Sequence, residues 1–211
     1  MKLLIIPSWY PTKLHPASGS FFRDRAHILK NNGIDIIIAA PIIHSLKDII
    51  PYNNTSRIES FTDKGIPVYL NEIINIFPKT EKLKFSRYKK YAVSLLQKVI
   101  NKHGIPDAIY FHSSLWAGAA LFEECNQFKI PFIISEHLKE FLITNSFTGF
   151  QKNLMRITYK SCSGIIATSA KLGDAISDLF PEYKSKISFI PNPIDEDIFV
   201  KKQILKNRSF I

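Results

Sequence analysis

The chain has 211 residues, 45% of them hydrophobic and 22% charged, which is enough apolar material for a proper core and argues against wholesale disorder. Two cysteines, Cys125 and Cys162, exclude a disulfide-rich scaffold or a four-cysteine metal site, and no apolar stretch approaches the roughly 20 residues that span a bilayer. The net charge of +10 points to an anionic membrane surface or a phosphate-bearing substrate; nucleic acid is disfavoured because no zinc-finger spacing, basic zipper or glycine-aromatic RNA motif is present, and lysines kept for solubility are the plain alternative.

Residues 3–6 form a short unbroken apolar run, the mark of a strand buried on both faces. A Pro-broken loop over 7–20 carries Trp9 and Tyr10. The spacing of Phe22, Ala26 and Leu29 predicts a helix, closed by Asn31-Asn32-Gly33. This is the opening of a βαβ unit, with the helix amino end aimed at the loop. Gly19 and Ser20 stand at that amino end. Gly19 permits close backbone approach, Ser20 is the expected N-cap, and free amides there attract anions. A lone glycine in so long a loop is not the dinucleotide fingerprint, and an ordinary loop glycine is the plain alternative.

Gly33, Gly65, Gly104 and Gly164 each precede an isoleucine and an apolar run, as exits into successive strands do. Further strands are expected at 34–40, 66–70, 107–111, 131–135, 164–168 and 187–190, about seven in all. Residues 44–64 read as an irregular surface loop. A long helix over 79–103 places Phe85, Tyr88, Ala92, Leu95 and Val99 on one stripe, with Lys82, Lys89, Lys90 and Lys98 mostly off it. Such a basic face can rest on anionic lipid, though a solvated side of a core-facing helix is the simpler reading. Helices also fit 115–128, 150–161 and 170–180, the last capped by Ser169, while 138–149 shows no clear period. The alternation predicts an α/β, Rossmann-like, three-layer domain whose mostly parallel sheet is covered on both faces. Residues 201–208 read as a basic linker and 209–211 as the start of another strand, with a frayed tail as the alternative.

In such a sheet, ligands bind at the carboxyl ends of the strands. The unusual polar residues fall there: Trp9 and Tyr10 with Gly19 and Ser20, then His112-Ser113-Ser114, Glu136-His137, Thr168-Ser169 and Asn192. Singly, His112 reads as a satisfied core histidine, Glu136 as an acid offsetting a helix dipole and Ser169 as a cap. Jointly they read as the rim of a binding crevice. Metal binding is not expected, since His112 and His137 lack a third ligand nearby and no H-E-x-x-H helix exists. G-x-S-x-G and the P-loop are absent too. Cysteine usage points to a reducing, cytoplasmic compartment, and four apolar residues before Pro7 are too few for a signal-peptide core.

At this point the motifs resemble a known family. LLIIP followed by SWYPTKLHPASGSFFRDRAHILKNNG looks like the opening of retaining GT-B glycosyltransferases of family four. DAIYFHSSLWAGAAL is similar to their fourth strand and PFIISEH to their T-x-H strand end. GIIATSAKLGDAI resembles their serine-then-helix segment, and ISFIPNPIDEDIF their closing I-P-N-G-V-D-x-x-x-F motif. The matches run in family order over 1–199. Ser20 stands where a second glycine is common and Pro193 where glycine is usual, and both restrict close backbone approach.

The resemblance implies an N-terminal, acceptor-side domain over 1–199. Residues 200–211 would then lead into a second GT-B domain, absent from this chain, that binds the nucleotide-sugar. It implies transfer of a sugar from a nucleotide-sugar to a sugar or lipid-linked acceptor with retention, without metal or cofactor, in bacterial surface-polysaccharide synthesis. His137 would be catalytic, near the transferred sugar. Trp9, Tyr10, Gly19, Ser20, His112, Ser113, Glu136, Ser169 and Asn192 would bind substrate, with His112 and Glu136 on the acceptor side. The isolated chain would be inert and cytoplasmic, in peripheral contact with the anionic inner face of the membrane. Two other classes stay open: a free-standing nucleotide- or phosphate-binding module, and an oxidoreductase with a degenerate dinucleotide site, against which the missing glycine triplet argues.

Overall fold

The structure is a computed structural model that describes residues 1–45, 56–77 and 79–192. The strands are β1 (Lys2–Pro7), β2 (Asp35–His44), β3 (Ser56–Asp63), β4 (Ile66–Ile74), β5 (Ala108–His112), β6 (Phe132–Glu136), β7 (Gly164–Ala167) and β8 (Ile187–Phe189). The helices are α1 (Ser20–Asn31), α2 (Glu81–His103), α3 (Ala119–Phe128), α4 (Gly149–Ser161) and α5 (Ala170–Leu179). The strands form one sheet in the order β3-β4-β2-β1-β5-β6-β7-β8, parallel throughout except at β3. The α/β reading stands, with eight strands among the described residues in place of about seven.

The added strand is β3, in the stretch expected to be an irregular loop. It pairs antiparallel with β4 from Ser56↔Ile73 to Asp63↔Ile66. Its sequence, SRIESFTD, hides this because an edge strand buries little, and Ile58 and Phe61 remain exposed. The remainder of that loop over 46–55, and the linker and strand start expected after 192, lie outside the described residues.

Strand alternation sorts the apolar residues into two layers. Leu4, Ile6, Ile37, Phe111 and Ile134 pack beneath α2–α5. The stripe of α2 lands there, with Tyr88, Ala92, Leu95 and Val99 buried and Lys82, Lys90 and Lys98 exposed. Leu3, Ile5, Ile36 and Ile38 face the other way, against Ala26 of α1. Among the described residues α1 is the one helix on that side, and a groove of about 520 Å³ opens beside Tyr110, Ile133 and Ile166.

Two features of this frame position the site. First, β1 pairs with β2 only to Ile5↔Ile38, whereas β2 continues to His44, paired with Ile74 of β4. Since β1 itself ends at Pro7, level with Ala40, the arm β3–β4–β2 overhangs the sheet edge by roughly 13 Å. Second, α1 starts from Gly19 at φ 66° and ψ 22°, a left-handed conformation, and a Cβ there would lie 2.6 Å from the Trp9 carbonyl oxygen. Ser20, the expected N-cap, is instead the first helical residue. No side chain caps this end, and no acidic residue occupies its first turn.

Gly19→Ala combines left-handed strain with that clash, whereas Gly33→Ala at φ 83° meets open space. Urea denaturation is expected to show a loss of ~1–2 kcal/mol at Gly33 and a further ~1–3 kcal/mol at Gly19. Equal losses would mean that the Trp9 carbonyl gives way freely.

Candidate functional site

Strands β5 and β6 end side by side, with His112 opposite Ser135. Alternation turns Tyr110, His112, Ser135 and His137 toward α1, and Glu136 toward α4. His112 Nδ1 and His137 Nε2 lie 3.4 Å apart. Phe22, in the first turn of α1, stacks on His112 at 4.2 Å and meets His137 edge-on at 4.9 Å. Trp9 contacts Phe22 at 5.2 Å and Phe21 approaches His137 at 5.3 Å. One aromatic ring thus joins the loop, the helix amino end and both histidines. Gly19, Trp9, His112 and His137, expected on one rim, are brought together.

Below this layer lies Arg25, buried on α1. Its guanidinium donates to the Tyr110 hydroxyl, to Ser135 Oγ at 3.3 Å and to Asn192 Oδ1 at 2.6 Å. Burial drives the pKa of His112 well below its ordinary value, helped by the neighbouring His137 and Arg25. Burial and then the Arg25 charge push His137 down to about 3. Both imidazoles are neutral at pH 7. His137 is half-buried, and its Nδ1 has no hydrogen-bond partner among the described residues.

Several expected site residues sit elsewhere. Glu136 does not line the acceptor side. It is fully buried and accepts from Ser113 Oγ at 3.2 Å, the Ser114 amide at 3.0 Å and the Tyr159 hydroxyl at 2.6 Å. Burial raises its carboxyl pKa, and those hydrogen bonds oppose the rise. Ser113, at φ 78°, belongs to this framework. His112 is fully buried beneath Phe22 but is not the satisfied core histidine expected, since its Nε2 has no hydrogen-bond partner among the described residues, and Tyr10 is buried within the loop. Ser169 is an exposed cap, accepting the Leu172 amide at 3.1 Å. Trp9, Ser20, His137 and Asn192 reach the surface. Sequence reasoning missed Phe22 and Arg25 as site residues. The signal for Arg25 was present, because it falls on the Phe22-Ala26-Leu29 stripe where a charge is out of place. Among the described residues, no group of three or more His, Cys, Asp or Glu is arranged for a metal ion, and no helix is long and apolar enough to cross a membrane.

The depressed His137 pKa has a stability consequence. Between the unfolded value near 6.5 and the folded value of about 3, the unfolded chain binds the extra proton, so stability falls as pH falls. From pH 7 to 5 this histidine's share of the loss is about 2 kcal/mol. Glu136 acts with the opposite sign, so the comparison is between wild type and His137→Gln. Urea titrations at both pH values are expected to show the variant losing about 2 kcal/mol less than wild type.

Residues 57–198 match the profile of the family described as Glycosyltransferase Family 4. The putative teichuronic acid biosynthesis glycosyltransferase TuaC of Bacillus subtilis (strain 168) is 24% identical over 185 residues, which are 85% of this chain and 47% of that protein. Among solved structures, Anabaena Alr3699/HepE in complex with UDP superposes with a TM-score of 0.60 at 15% identity, covering 94% of this chain and 46% of that one. The lipopolysaccharide outer core galactosyltransferase WaaB superposes with a TM-score of 0.57 at 13% identity, covering 92% and 46%. The chain spans about half the length of these relatives. These two likenesses agree with the fold described above. With its profile match running over most of its length, the chain belongs to Glycosyltransferase Family 4.

Proposed function

We propose that this chain is the acceptor-side half of a retaining glycosyltransferase that moves a sugar from a nucleotide-sugar to an acceptor hydroxyl. The observation that carries the reading is a neutral, half-exposed His137 packed through Phe22 against an uncapped helix amino end. The departing diphosphate gathers negative charge, and the positive dipole end of α1, where the Ser20 and Phe22 amides already donate to Ala17 and Gly19, is the local feature suited to face it. A neutral imidazole can hydrogen-bond a sugar hydroxyl without itself competing for that anion.

Retention is supported by what His137 is unsuited to do. An inverting reaction calls for a general base titrating near the working pH. His137, at about 3, is a poor base, and Glu136 faces α4. The proton of the acceptor hydroxyl is then left to the departing phosphate. In this reading residues 1–199 form the acceptor-side domain and 200–211 lead onward. The cations that hold most of the diphosphate charge lie in the other half, so this chain alone is inert or nearly so. Surface-polysaccharide assembly at the cytoplasmic face of the membrane is the proposed setting. Support comes from the teichuronic acid and lipopolysaccharide roles that the names of two relatives carry and from the exposed lysines of α2.

Two measurements test this. Titrating isotope-labelled chain with UDP is expected to shift the amides of residues 19–22 and the His137 ring, with no turnover of nucleotide-sugars; turnover by this chain, or shifts confined elsewhere, would refute it. Sedimentation with liposomes is expected to favour anionic over neutral lipid, with Lys82→Glu/Lys90→Glu/Lys98→Glu removing the preference. Equal sedimentation with both lipids would sink the membrane assignment.

A further inference from the structure

The groove on the α1 side of the sheet is a second cavity, separate from the crevice at His137. It runs along β1, β5 and β6, from the amino ends of these strands toward Arg25. Half-buried Ala108, Ile133 and Ile166 form its floor, Leu29 of α1 stands on one side, and Ile190, just past β8, on the other. Its volume of about 520 Å³ lies within the ~300–1,000 Å³ range of small-molecule sites, which are mostly apolar with a few placed polar groups.

Among the described residues that line it, Arg25 carries the one charged side chain. Arg25 is 6% exposed. Its Nη1 donates to the Tyr110 hydroxyl and to Ser135 Oγ, and its Nη2 to Asn192 Oδ1. All three acceptors are neutral, and a guanidinium has more N–H donors than these bonds use. Its Nε–H has no partner among the described residues, and no carboxylate there pairs with it. Asp24, the adjacent acid, is exposed and lies beside Arg23 instead, at 3.7 Å. A cation this far from water is stabilised most by an anion that it can grip through two N–H groups.

An apolar floor with one buried cation at its end narrows the ligand. A nucleotide or a free phosphate would lay polar groups on Ala108 and Ile133 with nothing to bond them. A plain hydrocarbon would leave the guanidinium without a counter-ion. We propose that this groove binds a carboxylate amphiphile, its head paired with Arg25 and its hydrocarbon tail lying over Ala108 and Ile133 toward the amino ends of the strands. The assignment does not rest on the transferase reading. It does reach that site through one side chain, because the guanidinium that would hold the carboxylate also stands behind His137. After burial, the Arg25 charge is what holds the His137 pKa down, at about 3. A carboxylate on Arg25 cancels part of that field and raises the proton affinity of the imidazole.

The test is a titration of isotope-labelled chain with decanoate, each probe kept below its micelle threshold. Decanol is the neutral arm, decyltrimethylammonium the cationic arm and acetate the head without a tail. Decanoate is expected to shift the methyls of Ala108, Ile133 and Ile166 and the Arg25 Nε–H, to bind about tenfold more tightly than decanol, and to move the His137 titration upward. Acetate and decyltrimethylammonium are expected to leave these signals in place. Arg25→Gln is expected to abolish the preference for decanoate over decanol. Should that variant lower Tm, the comparison of the two probes on wild type decides. Ala108→Phe, which fills the floor at a half-buried position, is expected to block both probes at unchanged Tm. Equal affinity for decanoate and decanol, shifts spread over the lysines of α2 instead of the groove, or decanoate binding that survives Ala108→Phe would overturn the proposal. So would a dimer, or another segment of the chain, found seated on these methyls and excluding decanoate. The UDP titration is scored at residues 19–22, which line no part of this groove, so the two readings fail separately.

Discussion

The exclusion of water where α1 crosses the ends of β5 and β6 is the constraint on which the site depends. Phe22 is 1% exposed, and its burial is worth roughly 2–3 kcal/mol. It can reach His112 and His137 only because the chain turns at Gly19 against the Trp9 carbonyl. The same packing that fixes the helix keeps His112 dry and His137 half-buried, and burial favours the neutral form of both. Arg25, one turn further along the helix, reinforces that state, since a fixed cation disfavours a second one nearby. Loop geometry, side-chain packing and charge state are thus one arrangement viewed at three levels.

The end of β6 sends neighbouring side chains to opposite faces of the sheet. His137 turns toward α1 and the surface; Glu136 turns inward to α4. A buried carboxylate is costly unless its lone pairs are occupied. Glu136 accepts from two side-chain hydroxyls and one backbone amide, and so ties the β5 exit at Ser113 and Ser114 to Tyr159 of α4. The β5 exit is therefore held on one side by this carboxylate and on the other by Phe22. His112, at the junction, is buried between the two, stacked under Phe22 and beside His137.

Most of the architecture was legible because its signals are local. Apolar runs marked the buried parallel strands, and the α2 stripe landed on the core. The edge strand β3 escaped because its exposed faces erase alternation. The site was half legible. Carboxyl ends of strands told where polar residues gather, and Gly19, Trp9, His112 and His137 do meet there. Which way each side chain faces depends on register, and a shift of one residue reverses it. Glu136 was misplaced for that reason: it stands next to His137 in sequence and on the opposite face in space. Phe22 and Arg25 were hidden by the opposite error. Both lie on a helical stripe, and a stripe reads as core until a partner on another strand is known.

Arg25 shows what such a misreading costs. A guanidinium at 6% exposure, held by Tyr110, Ser135 and Asn192, gains neutral hydrogen bonds but no carboxylate among the described residues. Neutral acceptors offset only part of the desolvation of a charge. The remainder is an electrostatic field left standing behind the two histidines, positive and fixed. Such a field opposes any cationic intermediate on His137 and favours an anion arriving in front of it. It acts in the same sense as the uncapped amino end of α1, and the two together give this edge of the sheet a polarity that neither loop sequence nor net charge reveals.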